Sequence, residues 1–274
     1  MKVDVPAAEE ATYVRALCAL RDAGVPHLVG GALALHHYTG IWRNTKDLDL
    51  FLRPADRDAA LAALAAAGFR VEVLAPHWLA KGYAGEMFVD LISGFGNWLR
   101  PVDESWLEAS EPMRLFGLEV PVLSATDMVW VKSYVAGRER FDGADIAHLI
   151  RHAHDRIDWP RLLARFGEHW ELLLVYLHYY RFVYPQAREL VPRWVVEQLM
   201  ARLAADLRAP AAPDHPFRGP LLDRFAYLPD IEHRGEPDPR EAVAQARGLS
   251  RQEVVAQRVI DKRLVEEARD KGQP

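Results

Sequence analysis

Two acidic residues one position apart in an apolar run constrain this chain more than any other feature. Residues 47–52 have the sequence DLDLFL, an alternation that predicts a β-strand with two different faces. Asp47 and Asp49 would share one face, and the leucines of the run would share the other. Because unpaired carboxylates are costly to bury, the acids need a divalent cation, a solvated edge of a sheet, or pairing with Arg43 and Lys46.

A double glycine precedes this strand. Gly30 and Gly31 end the short apolar stretch 25–29 and open the helical stretch 32–38, so the segment predicts a strand, turn, helix and strand in succession. Bare backbone amides at the start of a helix can approach a phosphate closely, and the helix dipole favours its negative charge. A tight turn alone would also explain the glycines.

The rest of the N-terminal half mixes helices and strands, which predicts an α/β (α+β) fold with a mixed sheet flanked by helices. A loop containing Pro76, Gly82 and Gly85 would separate two of the strands. The predicted helices are 7–23, 54–68 and 125–139, and the predicted strands are 25–29, 47–52, 69–74, 87–93 and 118–124.

Beyond Asp142 the sequence contains no convincing strand, which predicts a C-terminal helical region. We therefore expect two domains, 1–140 and 141–274, the second with a proline-rich connection at 208–220 and a final helix that begins at Ser250. The other helices predicted there are 143–154, 159–184 with a break, and 192–207, and a loop is expected at 233–241.

Composition limits the cellular setting. Cys18 is the only cysteine among 274 residues, which favours a reducing compartment and hence the cytoplasm. The most apolar stretch, 170–184, is too short to span a bilayer, so no membrane span is expected. A formal net charge of −5 gives no overall basic field, and it neither supports nor excludes nucleic acid as a partner.

The series Gly30-Gly31, Arg43 and Asp47-x-Asp49 resembles the nucleotidyltransferase superfamily related to DNA polymerase beta, in its minimal and abortive-infection-toxin-like branches. It also resembles the start of lincosamide and aminoglycoside nucleotidyltransferases, which share a glycine like Gly40. The resemblance covers about residues 25–150. Superfamily members often carry Gly-Ser where this chain has two glycines, which weakens the expected phosphate contacts.

The resemblance implies a metal site built from three acids. Asp47 and Asp49 would hold the metal that accompanies the nucleotide, Mg²⁺ or Mn²⁺. Asp90, within the apolar stretch 87–93, would be the third acid, holding a second ion and accepting a proton from the acceptor hydroxyl. Taken by itself, Asp90 could equally be an ordinary strand acid.

Phosphate ligands follow from the same resemblance. Arg43 and Thr45 would contact phosphate together with the glycine amides, with Thr45 substituting for the missing serine. Lys132 lies in a segment similar to the toxin-like branch and carries over as a triphosphate ligand, with Asp142 or Asp145 as a further acid near the acceptor. A solvated Lys132 and a surface Asp145 are the alternative.

The implied activity moves a nucleoside monophosphate from an NTP such as ATP to an acceptor hydroxyl or phosphate, with release of pyrophosphate. The acceptor would be tRNA or protein, as in toxin-like relatives. The alternatives are an antibiotic nucleotidyltransferase acting on a small molecule and a catalytically silent nucleotide-binding module.

Overall fold

The structure is a computed structural model that describes residues 5–43, 45, 47–138, 140–210, 216–223, 225–246 and 248. The chain divides into two compact units, Met1–Ser124 with Arg240–Pro274, and Ala125–Pro239. No helix among the described residues is both long enough and apolar enough to cross a membrane. The division into domains 1–140 and 141–274 stays a prediction.

The first unit is built on a mixed sheet, as the sequence predicts. Within the described residues it has seven strands in the order β3-β4-β5-β2-β1-β7-β6. The β2–β5 and β1–β7 pairs are parallel and the other pairs are antiparallel. The strands are β1 (Leu28–Val29), β2 (Asp47–Phe51), β3 (Arg70–Ala75), β4 (Leu79–Ala84), β5 (Met87–Ile92), β6 (Glu111–Leu115) and β7 (Leu118–Val122).

The predicted two-faced strand is present at β2. Leu48 and Leu50 are completely buried, whereas Asp47 and Asp49 alternate with them and are half-buried. β2 lies between β5 and β1, so it is an inner strand and the edge-strand alternative is wrong. The helices of this unit are α1 (Ala7–Asp22), α2 (Gly31–Thr39), α3 (Arg57–Ala66) and α4 (Glu104–Glu108).

The prediction of a loop between β3 and β5 is wrong, because β4 occupies most of it. Gly82 lies inside β4, where a β-carbon would be only 2.9 Å from the Leu64 side chain of α3. A glycine in a strand can mark such a close approach rather than a loop. Gly85, with a φ of +64°, forms the tight turn between β4 and β5. The sequence also failed to predict α4 and β6.

The second unit is helical, and no strand is present among its described residues, as predicted. Its first helix ends at Ser133 rather than 139, because the chain turns back and Ala136 forms an isolated antiparallel bridge with Phe141. The predicted helix from Ser250 lies outside the described residues. The helices are α5 (Ala125–Ser133), α6 (Gly143–Ala153), α7 (Trp159–Phe166), α8 (Trp170–Val183), α9 (Arg193–Asp206), α10 (Gly219–Leu222) and α11 (Leu228–Arg234).

The loop predicted at 233–241 is longer than the one observed. α11 extends to Arg234 and ends on Gly235, whose left-handed φ of +77° terminates the helix. A further helix, α12 (Pro239–Ala246), begins only a few residues later. Proline at the first position of a helix is favourable because its missing N–H would have no partner there.

Candidate functional site

Three carboxylates meet at the centre of the sheet. Asp47 and Asp49 lie on β2, and Asp90 lies on the parallel neighbour β5, directly opposite Asp49 in the register. One oxygen from each acid lies within 4.8 Å of the others, and each of the three residues is half-buried. We call Asp47, Asp49 and Asp90 the acidic triad.

A lysine contacts the third acid. Lys81 on β4 pairs directly with Asp90 across the antiparallel β4–β5 ladder. Its Nζ lies 2.8 Å from Oδ1 and 3.2 Å from Oδ2 of Asp90, so both carboxylate oxygens contact one ammonium group. The same Nζ lies 3.9 Å from the centre of the Phe88 ring, where a cation is attracted by the aromatic face.

The electrostatic environment of Asp90 disfavours its charge. The pKa of Asp90 is raised to about 6, chiefly by burial and to a smaller extent by the neighbouring charge of Asp47, while the positive charge of Lys81 acts in the opposite direction. The pairing with Lys81 therefore compensates only part of the cost of keeping this carboxylate ionised.

The double glycine lies against the acidic triad. Gly31 has a φ of +55°, and a β-carbon there would lie 1.7 Å from Oδ2 of Asp49. A β-carbon on Gly30 would lie 2.3 Å from the ring of Phe51, and the Gly30 N–H donates to the Asp49 carbonyl at 2.9 Å. Since α2 begins at this point, the positive end of its dipole lies beside Asp49.

Residues that precede β2 in the sequence contact or surround Asp47. The Thr45 hydroxyl donates a hydrogen bond to the Asp47 carboxylate, and the Tyr13 hydroxyl donates to the Thr45 carbonyl at 3.4 Å. Burial, followed by the charge of Asp47, raises the pKa of Tyr13 above its usual range. Arg43 is exposed in the same connection, and its contact with phosphate stays a prediction.

Lys132 lies in the second unit and is buried. Its Nζ lies 2.7 Å from a carboxylate oxygen of Asp142 and 2.7 Å from one of Asp145. Burial by itself would raise the pKa of Asp142, but the charges of Lys132 and Arg140 outweigh burial and lower it. The solvated Lys132 and surface Asp145 alternative is therefore wrong, and a role for Lys132 as a triphosphate ligand stays a prediction.

The sequence reasoning missed Lys81 because it placed this residue in a loop. The signal was present in the residues that follow it. Gly85 and Glu86 separate two strand-like stretches by two positions, a spacing and composition typical of a tight β-hairpin. Assigning that hairpin would have placed Lys81 directly opposite Asp90.

The donor set of the acidic triad fits a divalent metal. Carboxylate oxygens are the hard ligands that Mg²⁺ prefers, and this ion usually takes one or two of them and leaves positions for phosphate oxygens. The missing side chain at Gly31 leaves room for the Asp49 carboxylate, since a β-carbon there would lie 1.7 Å from its Oδ2. The residues present therefore suit a metal with a phosphate ligand.

The mixed sheet and the family match define the protein as a nucleotidyltransferase, which confirms the resemblance found in the sequence. Residues 7–180 match a protein family described as "uncharacterised nucleotidyltransferase", and the chain belongs to this family. No curated protein matches the chain.

Several solved structures are similar to the chain. The antibiotic-resistance factor ANT(2'')-Ia is 17% identical, with a TM-score of 0.43 over 68% of this chain and 97% of that one. The lincosamide antibiotic adenylyltransferase LnuA, bound to lincomycin, is 17% identical, with a TM-score of 0.38 over 52% and 94%. JHP933 from Helicobacter pylori is 12% identical, with a TM-score of 0.40 over 73% and 95%.

Proposed function

We propose that this nucleotidyltransferase depends on Mg²⁺ and moves a nucleoside monophosphate from an NTP to an acceptor hydroxyl or phosphate, releasing pyrophosphate. The observation that supports the proposal is the acidic triad, whose oxygens lie within 4.8 Å of one another. Mn²⁺ would serve in place of Mg²⁺, since both accept carboxylate and phosphate oxygens as ligands.

Each acid has a separate task in this proposal. Asp47 and Asp49 hold the metal, which supplies charge neutralisation for the phosphates when it is bound. Asp90 completes the ligand set and accepts the proton of an acceptor hydroxyl. The acceptor oxygen forms a bond to the α-phosphorus while the bond from that phosphorus to the bridging oxygen breaks, and pyrophosphate leaves with the electron pair.

The residues around the acidic triad would bind and orient the nucleotide. The start of α2, at Gly31, would bring backbone amides and the positive end of the helix dipole to a phosphate. Thr45, which already contacts Asp47, would fix the orientation of that carboxylate and offer a hydroxyl to phosphate. Arg43 would contribute a forked guanidinium, which matches the geometry of phosphate oxygens.

We propose a macromolecular acceptor, tRNA or protein. The support is the similarity of the segment containing Lys132, Asp142 and Asp145 to the toxin-like branch of the superfamily. A small-molecule acceptor, such as an antibiotic, is the alternative outcome of the experiment below.

The experiment is transfer of label from each α-labelled NTP, with Mg²⁺, into pooled RNA, protein and small molecules. Asp49→Asn is the inactive comparison, and Glu72→Gln, an exposed acid of β3, is the matched control. Label that appears with the native chain and Glu72→Gln but not with Asp49→Asn supports the proposal, and the labelled pool identifies the acceptor class. Equal labelling by Asp49→Asn would contradict it.

A further inference from the structure

Lys81 is fixed in place before any ligand arrives. Its side chain is 16% exposed and that of Asp90 is 13% exposed, so solvent screens their attraction much less than it screens a surface ion pair. The ammonium group contacts both oxygens of Asp90 and lies over the Phe88 ring. Because Lys81 lies directly opposite Asp90 in the β4–β5 ladder, the backbone places the two side chains next to each other.

This placement brings the positive charge of Lys81 to the proposed metal site. The Asp90 oxygens that contact Lys81 belong to the same carboxylate that approaches Asp47 and Asp49 within 4.8 Å. A cation bound by all three acids would therefore share Asp90 with the ammonium group. Like charges at such short range repel strongly where solvent is scarce.

We propose that Lys81 is a positioning residue that holds the Asp90 carboxylate and competes with the divalent metal for it. The inference rests on the proposed metal site. Lys81 keeps Asp90 oriented toward Asp47 and Asp49 in the metal-free protein, and it makes metal binding weaker than three unpaired carboxylates would allow. Binding at all three acids thus requires the ammonium group to yield part of its contact.

The contact with Lys81 limits repulsion among the three carboxylates and still leaves Asp90 available to a metal. Without Lys81, the three carboxylates would face one another at short range with less compensation of their charge. With a permanent, fully satisfying partner, Asp90 would be unavailable as a ligand. A single lysine contact holds the Asp90 carboxylate in place and leaves its oxygens able to exchange that contact for a metal ion.

The test measures binding of Mn²⁺ alone, by electron paramagnetic resonance titration at about pH 8, well above the ordinary pKa range of carboxyl groups. Lys81→Met should bind Mn²⁺ about tenfold more tightly than the native chain, because the competing charge is gone. Lys81→Arg, which keeps the charge, should stay within about twofold of the native affinity.

Arg70→Met is the matched control. Arg70 lies on β3, and its guanidinium lies 4.1 Å from the centre of the Tyr83 ring, so the variant removes a cation that packs on an aromatic ring of the same sheet. Its side chain is 67% exposed, and its guanidinium forms an ion pair with Glu72 at 3.2 Å. Mn²⁺ affinity should be unchanged in this variant.

A double-mutant cycle shows whether the effect passes through Asp90. In an Asp90→Asn background, Lys81→Met should change Mn²⁺ affinity by less than about threefold, because the shared carboxylate is absent. Circular dichroism checks that each variant folds, and Lys81→Gln replaces Lys81→Met if the latter does not.

Three results would overturn the inference. Equal or weaker Mn²⁺ binding by a folded Lys81→Met or Lys81→Gln variant, when the native chain binds the ion, would show that Lys81 does not compete. Failure of both the native chain and the Lys81 variants to bind Mn²⁺ would overturn the metal site itself, and the proposed function with it. Tighter binding that persists unchanged in the Asp90→Asn background would also refute competition for Asp90.

Discussion

The two units each contain a cluster of lysine and aspartate, and the two clusters differ in how far positive charge compensates the carboxylates. In the first unit, three carboxylates approach one another and Lys81 contacts one of them. In the second unit, a single ammonium group, that of Lys132, lies between two carboxylates at 2.7 Å. The second cluster is also more deeply buried, with side-chain exposures of 4–6%.

The pKa values follow this difference. Burial raises the pKa of Asp90 to about 6 although Lys81 opposes the shift. Burial acts in the same direction at Asp142, yet Lys132 and Arg140 outweigh it and lower the pKa. A carboxylate whose charge is disfavoured in the folded protein can gain from a cationic ligand, whereas one that its neighbours already stabilise has less to gain. The same residue types therefore form the proposed metal site in one unit and an internal ion-pair network in the other.

The largest expected effect is loss of transfer when the acidic triad loses a charge. Asp49→Asn and Asp47→Asn should each lower nucleotidyl transfer on the order of 1,000-fold, because a ligand charge is removed where the phosphates react. Both variants should remain folded, since the substitution relieves repulsion among the acids. Label transfer at saturating NTP measures the first effect and thermal melting the second. Native-level transfer by either variant would remove the triad from the mechanism.

A smaller effect is expected from displacing the Asp49 carboxylate, which lies where a β-carbon of residue 31 would be. Gly31→Ala should lower transfer about 100-fold, because displacement of a reacting group by about an ångström has effects of that size. Gly24→Ala is the control, since Gly24 also has a left-handed φ, +66°, but a β-carbon there meets no atom within 4 Å. Both variants should lose about 1–2 kcal/mol of unfolding free energy from the strained backbone.

Comparing the two alanine variants separates backbone strain from the local contact. If both lose activity equally, strain explains the loss and the approach of Gly31 to Asp49 has no special role. If only Gly31→Ala loses activity, the close approach of the Asp49 carboxylate to Gly31 is needed for the reaction. Initial rates for both variants, measured with the native chain at one NTP concentration, provide the comparison.

The two clusters also show what the sequence could predict. The alternation around Asp47 and Asp49 was enough to place both acids on one face, because strand geometry is local. The approach of Asp90 depends on parallel pairing between β2 and β5, which is not local, and only the resemblance to a known family suggested it. Lys81 was missed because Gly82 and Gly85 are of the residue type expected in a loop. Gly82 instead lies within a strand, where its close packing on Leu64 explains the glycine.

The ion pairs of the second unit were beyond local reasoning for a similar reason. The sequence predicted helices near those observed at α5 and α6, but the turn at Ala136–Phe141 that follows α5 was not predicted. That turn brings Asp142 and Asp145 back to Lys132. A solvated lysine was therefore a reasonable alternative from the sequence, and only the fold shows the lysine to be buried.

Replacing Lys132 tests whether this buried lysine supports the fold. Lys132→Met should lower the free energy of unfolding by about 3–5 kcal/mol, because it leaves buried carboxylates without their shared cation. Arg193→Met is the control, since Arg193 pairs with Glu197 at an exposed position, and such a pair contributes about 0.3–0.5 kcal/mol. Urea denaturation followed by circular dichroism gives both values.

A kinetic measurement on the same variant addresses the predicted phosphate contact. If Lys132→Met retains native stability but raises the KM for NTP, the lysine acts as a triphosphate ligand rather than as part of the fold. If the stability loss is partly recovered by adding Asp142→Asn and Asp145→Asn, uncompensated buried charge is its cause. This triple variant would then have an unfolding free energy closer to that of the native chain.

The smallest expected effect is a change in acid sensitivity at Asp142. Because its pKa is lowered in the folded protein, the ionised carboxyl adds stability above the pKa of the unfolded chain, and this stability is lost as the pH falls through the folded-state pKa. Asp142→Asn should therefore be less stable than the native chain by about 2 kcal/mol at neutral pH. The difference should decline below about pH 4 as the native carboxyl becomes protonated.

The control for this acid dependence is Asp58→Asn, which removes a carboxylate whose side chain is 84% exposed. Unfolding free energies of the three proteins, measured in urea at several pH values, should converge in acid for Asp142→Asn and remain close throughout for Asp58→Asn. A constant difference between the native chain and Asp142→Asn across that range would mean that the amide substitution perturbs packing, and that the ion pairs with Lys132 and Arg140 do not set the acid sensitivity. Convergence of the two unfolding free energies in acid would assign the acid sensitivity to the ion pairs of Asp142, whose charges would then stabilise the fold.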